Sequence, residues 1–236
     1  MGAARRIVLT RTAEQCRPWR AALEAAGHDV LELPLLRFVL LPVPDPAPGA
    51  DVILFTSPQG VRAFFDAGLR PGPARTGVLG DGTAAALAAC GGTDDLGLRA
   101  ADGAELARRF LASYPEPCRV LLPGPAKRLT EPRASLEAAG FTVAELPLYR
   151  TEAVPPAELP DAPLRADDLI FFASPSAVRA CAAAWGATAP CVAIGGTTAA
   201  AAREAGFDPL VADEPTLEAM VRAAGLDPIH HPEETS

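Results

Sequence analysis

Two stretches of this chain repeat each other so closely that any fold must account for both. Leu23 to Arg37 reads LEAAGHDVLELPLLR and Leu136 to Arg150 reads LEAAGFTVAELPLYR, identical at eleven of fifteen positions at an offset of 113. Two further blocks follow in the same order. DVILFTSPQGVRAF from Asp51 matches DLIFFASPSAVRAC from Asp168 at an offset of 117, and LGDGTAAALAACG from Leu79 matches IGGTTAAAAREAG from Ile194 at an offset of 115. A period of about 115 residues is too long for a solenoid repeat and has the length of a domain. The 236 residues therefore hold two copies, each long enough for a modest core.

Short apolar runs such as Ile7-Val8-Leu9, Val52 to Phe55 and Leu169 to Phe172 precede Ser or Thr and then a helical pattern that ends in Gly. That order predicts strand, cap and helix. In Thr56-Ser57-Pro58 and Ala173-Ser174-Pro175 the Ser suits a helix cap and the Pro a first turn, where no donor is lost. Gly27, Gly68, Gly91, Gly140, Gly186 and Gly206 suit left-handed helix ends. Strands apolar throughout and alternating with helices predict parallel sheets covered on both faces, so each copy reads as a small doubly wound domain. Pro-rich stretches at Pro42 to Pro48 and Pro155 to Pro163 read as linkers or stiff loops. The tail from Asp227, with His230 and His231, lacks an apolar pattern.

Charge and composition exclude several classes. A formal charge of −8 argues against a nucleic-acid binder, although helix N-termini still attract carboxylates on an acidic protein. No run of about 18 apolar residues predicts a membrane span, and the start of the chain lacks the pattern of a signal peptide. The five cysteines have no C-x-x-C spacing and read as reduced thiols of a cytoplasmic protein. The His230–His231 pair has no accompanying ligands, so no metal is expected. Neither G-x-S-x-G, H-E-x-x-H nor the Walker loop occurs, and Gly80 to Thr83 and Gly195 to Thr198 lack full dinucleotide-loop spacing, so no cofactor is expected.

Polar residues do recur at the helix entrances: Thr10-Arg11, Ser57, Thr83, Ser174 and Thr198. In doubly wound sheets these entrances gather along the carboxyl edge of the strands, where ligands bind. Each Ser or Thr also has a plain structural reading as a cap. Tyr149 is the polar exception at a duplicated position whose first-copy counterpart is Leu36. A phenol there can donate a hydrogen bond while neutral at pH 7. Arg11, Lys127 and Arg128 are candidates for carboxylate binding. A two-domain anion sensor and a two-domain glycosyltransferase are the alternative readings of such a chain.

The ordered series TR, LPL, FTSP-x-x-V, G-x-x-TA, LLP-G-x-x-x-R, LPLYR, SPS-x-V, G-x-TTA and EPT resembles the uroporphyrinogen-III synthases over nearly the whole chain. Ala173 departs from the pattern where the first copy has Thr56, and Pro132 interrupts the helix expected after Gly124 to Arg128. The resemblance implies two similar doubly wound, flavodoxin-like parallel-sheet domains, 1–37 plus 151–236 and 38–150, joined by a two-stranded crossing with a cleft between them. It implies a monomeric carbon-oxygen lyase that closes hydroxymethylbilane, with its eight carboxylates, to uroporphyrinogen III with loss of water and inversion of the last ring. It also implies that no nucleic acid or membrane is involved. On the matching motifs the substrate-binding candidates are Thr10, Arg11, Ser57, Thr83, Gly124, Arg128, Ser174, Ser176, Thr197 and Thr198. Tyr149 is the catalytic candidate.

Overall fold

A computed structural model describes residues 5–159 and 164–229. Residues 160–163 of the second Pro-rich stretch, and the His230–His231 pair, lie outside the described residues. The first copy supplies β1 (Ile7–Leu9), α1 (Ala13–Ala25), β2 (Val30–Glu32), β3 (Leu36–Leu40), β4 (Val52–Phe55), α2 (Pro58–Asp66), β5 (Arg75–Val78), α3 (Asp81–Ala89) and α4 (Gly103–Ser113). The second supplies β6 (Arg119–Pro125), α5 (Arg133–Ala138), β7 (Thr142–Ala153), β8 (Leu169–Phe172), α6 (Pro175–Trp185), β9 (Cys191–Ala193), α7 (Gly196–Glu204), β10 (Pro209–Val211) and α8 (Leu217–Ala223).

The compact bodies are not the two sequence copies. One unit takes the chain up to Arg37 and again from Glu152, and the other is Phe38–Thr151. The first unit has the sheet order β10-β9-β8-β1-β2 with parallel pairing throughout. The second has the order β3-β7-β6-β4-β5, of which β7, β6, β4 and β5 are parallel. Aligned by the repeat, β9-β8-β1-β2 corresponds to β5-β4-β6-β7. Register confirms the equivalence: Val8 faces Ile170 in the first sheet, and their counterparts Leu121 and Ile53 face each other in the second. Each unit therefore combines a βαβ piece of one copy with the larger remainder of the other, a reciprocal exchange of like elements.

The expected parallel sheets are present in both units, and the crossing pair adds an antiparallel edge to the second unit. Its sheet is mixed, because edge strand β3 runs against β7: Val154 N donates to Leu35 O at 2.9 Å while Leu41 N donates to Leu148 O at 2.8 Å, so the two segments progress in opposite directions. An antiparallel edge strand on an otherwise parallel sheet is common in doubly wound folds.

The interior strands bury both faces. Ile7 and Leu9 enter one apolar cluster and Val8 another, while Ile53 and Phe55 separate in the same way from Val52 and Leu54. All four clusters stay within single units. Ser57 and Ser174 cap α2 and α6 through bonds from Gly60 N and Ala177 N, with Pro in the first turn. The six helix-closing glycines all have positive φ, from 70° at Gly186 to 90° at Gly206. Pro132 cuts short the helix expected after Arg128, whose counterpart by the repeat, α1, runs for 13 residues. Pro132 precedes α5, which begins at Arg133 and is short for that reason.

Candidate active site

In both units the chain leaves the middle of the sheet in opposite directions from two adjacent parallel strands, β1 and β8 in the first and β6 and β4 in the second. Crevices at the carboxyl ends of such strand pairs are where open α/β sheets bind ligands. Thr10-Arg11 and Ser174 follow β1 and β8, and Ser57 follows β4 beside Gly124 in β6. The sequence candidates thus fall on two equivalent edges.

The second unit has the better-formed site. Ser57 Oγ accepts from Gly60 N at 3.0 Å and lies 3.4 Å from the Tyr149 hydroxyl. Phe38 meets the Tyr149 ring edge-on at a centroid distance of 5.2 Å, which fixes the plane of a ring that is 5% exposed. Burial pushes the Tyr149 phenol up, opposed in part by the Ser57 hydrogen bond and the Arg128 charge. It therefore stays protonated at neutral pH and keeps a proton to donate.

Arg128 folds back over the end of β6. Its Nε donates to Pro125 O at 3.0 Å and an Nη to Leu146 O at 3.4 Å, with Glu145 at 4.0 Å. A Cβ on Gly124 would stand 3.1 Å from the guanidinium, so glycine there makes room for the arginine. A Cβ at Gly60 would meet Pro123 O at 3.2 Å, and its absence lets the first turn of α2 sit against the same strand end. Burial lowers the Arg128 pKa from its ordinary value, with Glu145 acting against it, and the group remains a cation.

Tyr149, Ser57 and Arg128 share a cavity of about 610 Å³, floored by Leu79, Leu122 and Pro125. That size and lining, apolar with a few polar groups, is usual for a small-molecule site. Thr83 is absent from its lining. It is 4% exposed and sits inside the first turn of α3, whose cap is Gly80.

In the first unit Thr10 is fully buried and its hydroxyl donates to Phe171 O at 2.9 Å, which ties β1 to β8. That hydroxyl has no open surface to offer a ligand. Thr198, 4% exposed, lies inside α7 behind Gly195, so it neither caps this helix nor presents an open hydroxyl. Ser176 and Thr197 are exposed. Arg11 stacks on Trp19 at 4.4 Å and lines a separate hollow of about 370 Å³ with Ile194 and Thr216. Burial lowers its pKa as well. Sequence reasoning missed Trp19, Phe38 and Gly60. The contrast of SPQG with SPSA between the copies was the available signal for Gly60.

Two permuted doubly wound units with polar, cation-bearing switch points define a two-domain α/β architecture suited to an anionic small molecule. A family model for uroporphyrinogen-III synthase HemD matches residues 17–222. A chloroplastic uroporphyrinogen-III synthase of Oryza sativa subsp. japonica is 32% identical over 221 residues, covering 85% of this chain and 72% of that protein. The chain belongs to the uroporphyrinogen-III synthase family, enzymes of tetrapyrrole biosynthesis. Among solved structures, a mutant uroporphyrinogen III synthase of the extremely thermophilic bacterium Thermus thermophilus is 25% identical with a TM-score of 0.52, covering 94% of this chain and 98% of that one. The Helicobacter pylori 26695 uroporphyrinogen-III synthetase, 21% identical with a TM-score of 0.61 over 93% and 98% of the chains, shares the fold.

Proposed function

We propose that the chain converts hydroxymethylbilane to uroporphyrinogen III and water, with Tyr149 assisting departure of the hydroxyl. The observation that carries this reading is the Ser57–Tyr149 contact beside Arg128 in one cavity. The phenol donates a hydrogen bond to the leaving oxygen as the C–O bond of the first ring's methylene breaks. Electron density from the pyrrole nitrogen stabilises the resulting cation. The substituted carbon of the last ring attacks it to give a spiro intermediate, which reopens and recloses with that ring inverted. The proton lost on rearomatisation balances the one taken by the departing hydroxide.

The electron-rich pyrroles supply the driving force without metal or nucleotide, so the protein's main task is orientation. Arg128, with N–H groups beyond the two bonded to carbonyls, binds a carboxylate of the substrate, and Gly124 keeps room for it. Ser57 holds the phenol, and Thr83 supports the start of α3. On the first unit's edge, Arg11, Ser174, Ser176 and Thr197 offer donors for further carboxylates, with Thr10 and Thr198 packed beneath. Five free cysteines fit a reducing compartment, and we place the enzyme in the cytoplasm as a monomer. Among the described residues no helix is long and apolar enough to cross a membrane.

Freshly generated hydroxymethylbilane, incubated with the purified chain and oxidised before isomer separation, should yield mainly the type III isomer. Only the type I isomer, formed at the rate of a protein-free control, would overturn the reading.

A further inference from the structure

Of the 21 lysine and arginine residues of the chain, only Lys127 is a lysine. It stands on the lip of the cavity that holds Tyr149 and Ser57, and its neighbour Leu129, 86% exposed, lines the same lip. The acids around this cavity are already engaged. Asp102 accepts from Glu105 N at 2.9 Å, Glu131 from Ser135 N at 3.2 Å, and Glu145 pairs with Arg133 at 3.3 Å and Arg128 at 4.0 Å. Arg133 also binds Glu137 at 2.9 Å, and Arg128 is bonded to two carbonyls. Among the described residues Lys127 makes no hydrogen bond or ion pair, so it is the cation on this lip that the protein does not use for itself.

We propose that Lys127 is a substrate-binding residue whose ammonium grips one carboxylate arm of a pyrrole ring seated against Leu129 and the apolar floor. The inference rests on the function proposed above and adds to it a residue and a division of labour. Arg128 is built into the wall, whereas Lys127 is a mobile point charge that follows its ligand. The chemistry favours lysine here. An ammonium has three rotatable donors and needs no fixed fork, so it can hold a flexible acidic arm in more than one pose. A carboxylate above an apolar face matches the lip, where charge and exposed leucine lie two residues apart.

Because the lysine is unique, it can be followed chemically. An amine-selective acetylating reagent should modify Lys127 and the terminal α-amino group, the latter serving as internal reference. Saturating uroporphyrin III, a stable octacarboxylate, should slow acetylation of Lys127 about 5-fold relative to the reference, the effect of one partly exposed ion pair. Lys127→Gln should raise KM by about the same 5-fold with kcat unchanged, as expected for loss of uniform binding. Lys127→Arg should recover most of it, and the difference should shrink at high salt. If wild-type enzyme makes the type III isomer but Lys127 is not protected and Lys127→Gln keeps its KM, this inference alone is overturned. If wild-type enzyme makes no type III isomer, the proposed function falls and this inference with it.

Discussion

Arg6–Asp168 in the first unit and Arg119–Asp51 in the second are the same ion pair by the repeat, yet one is closed to water and the other open. Both join the strand pair at which the sheet order reverses, at N–O distances of 2.8 Å. The Asp168 side chain is 1% exposed and that of Asp51 48%. The copies diverge again above the sheets. Arg11 corresponds to Gly124, where Arg128 fills the vacated space from four residues on, and Leu36 corresponds to Tyr149. The backbone was duplicated, and the residues proposed for leaving-group assistance and carboxylate binding in the second unit, Tyr149 and Arg128, lie where equivalent positions stopped matching.

The largest expected effect tests the buried pair. Asp168→Ala removes the buried carboxylate that accepts from Arg6 and from Arg165 N and should destabilise the fold by about 3–5 kcal/mol, read as a drop in Tm. Asp51→Ala should cost little. Although Arg119 holds the Asp51 carboxyl down to about 2, water and salt screen a half-exposed pair. Equal losses would break the comparison. Burial pushes the Asp168 carboxyl up, but hydrogen bonds from Arg6 and the Arg165 N–H outweigh it and hold it below its ordinary value. A depressed carboxylate contributes stability that is present above the unfolded value near 3.9 and lost as pH falls through the lower folded value. Acid unfolding of Asp168→Asn should therefore lack that component below about pH 4.

Next comes the phenol. Tyr149→Phe should lower kcat by about 10- to 100-fold with a smaller change in KM. Because burial raises the Tyr149 pKa, wild-type turnover should not fall through Tyr149 ionisation below about pH 10. Unchanged kcat in Tyr149→Phe would reduce the residue to a packed ring on Phe38. The smallest effects belong to the matched caps. Ser57→Ala and Ser174→Ala should each lose about 1 kcal/mol of stability. Ser57→Ala should lower turnover more, since only Ser57 meets a phenol.

Much of the fold was legible because its signals are local. Ser-Pro entrances, apolar strands and closing glycines each depend on a few neighbouring residues, and they mark α2, α6 and the helix ends correctly. The partition into units was not visible in the repeat itself, because periodicity reports duplication and says nothing about which half packs with which. The antiparallel edge β3 escaped for a related reason: an extended segment carries no mark of its direction of pairing. Within the site, Ser57, Tyr149 and Arg128 were legible as residues, but not their convergence on one cavity. Thr83 and Thr198 looked like caps since Thr caps often, whereas glycines three residues earlier take that place. Trp19 beneath Arg11 and Gly60 beside Gly124 depend on contacts that no local pattern encodes.

The assembly of each unit from unlike pieces of both copies is open to a direct measurement on two fragments of similar length. Residues 38–151 contain one complete unit with both of its apolar clusters. Residues 5–113 contain the whole first copy, which is part of each unit. Thermal melts followed by far-UV circular dichroism should show a cooperative transition for 38–151 and none for 5–113. A cooperative transition in 5–113, with 38–151 unfolded under the same conditions, would contradict the exchange and make the sequence copy the folding unit.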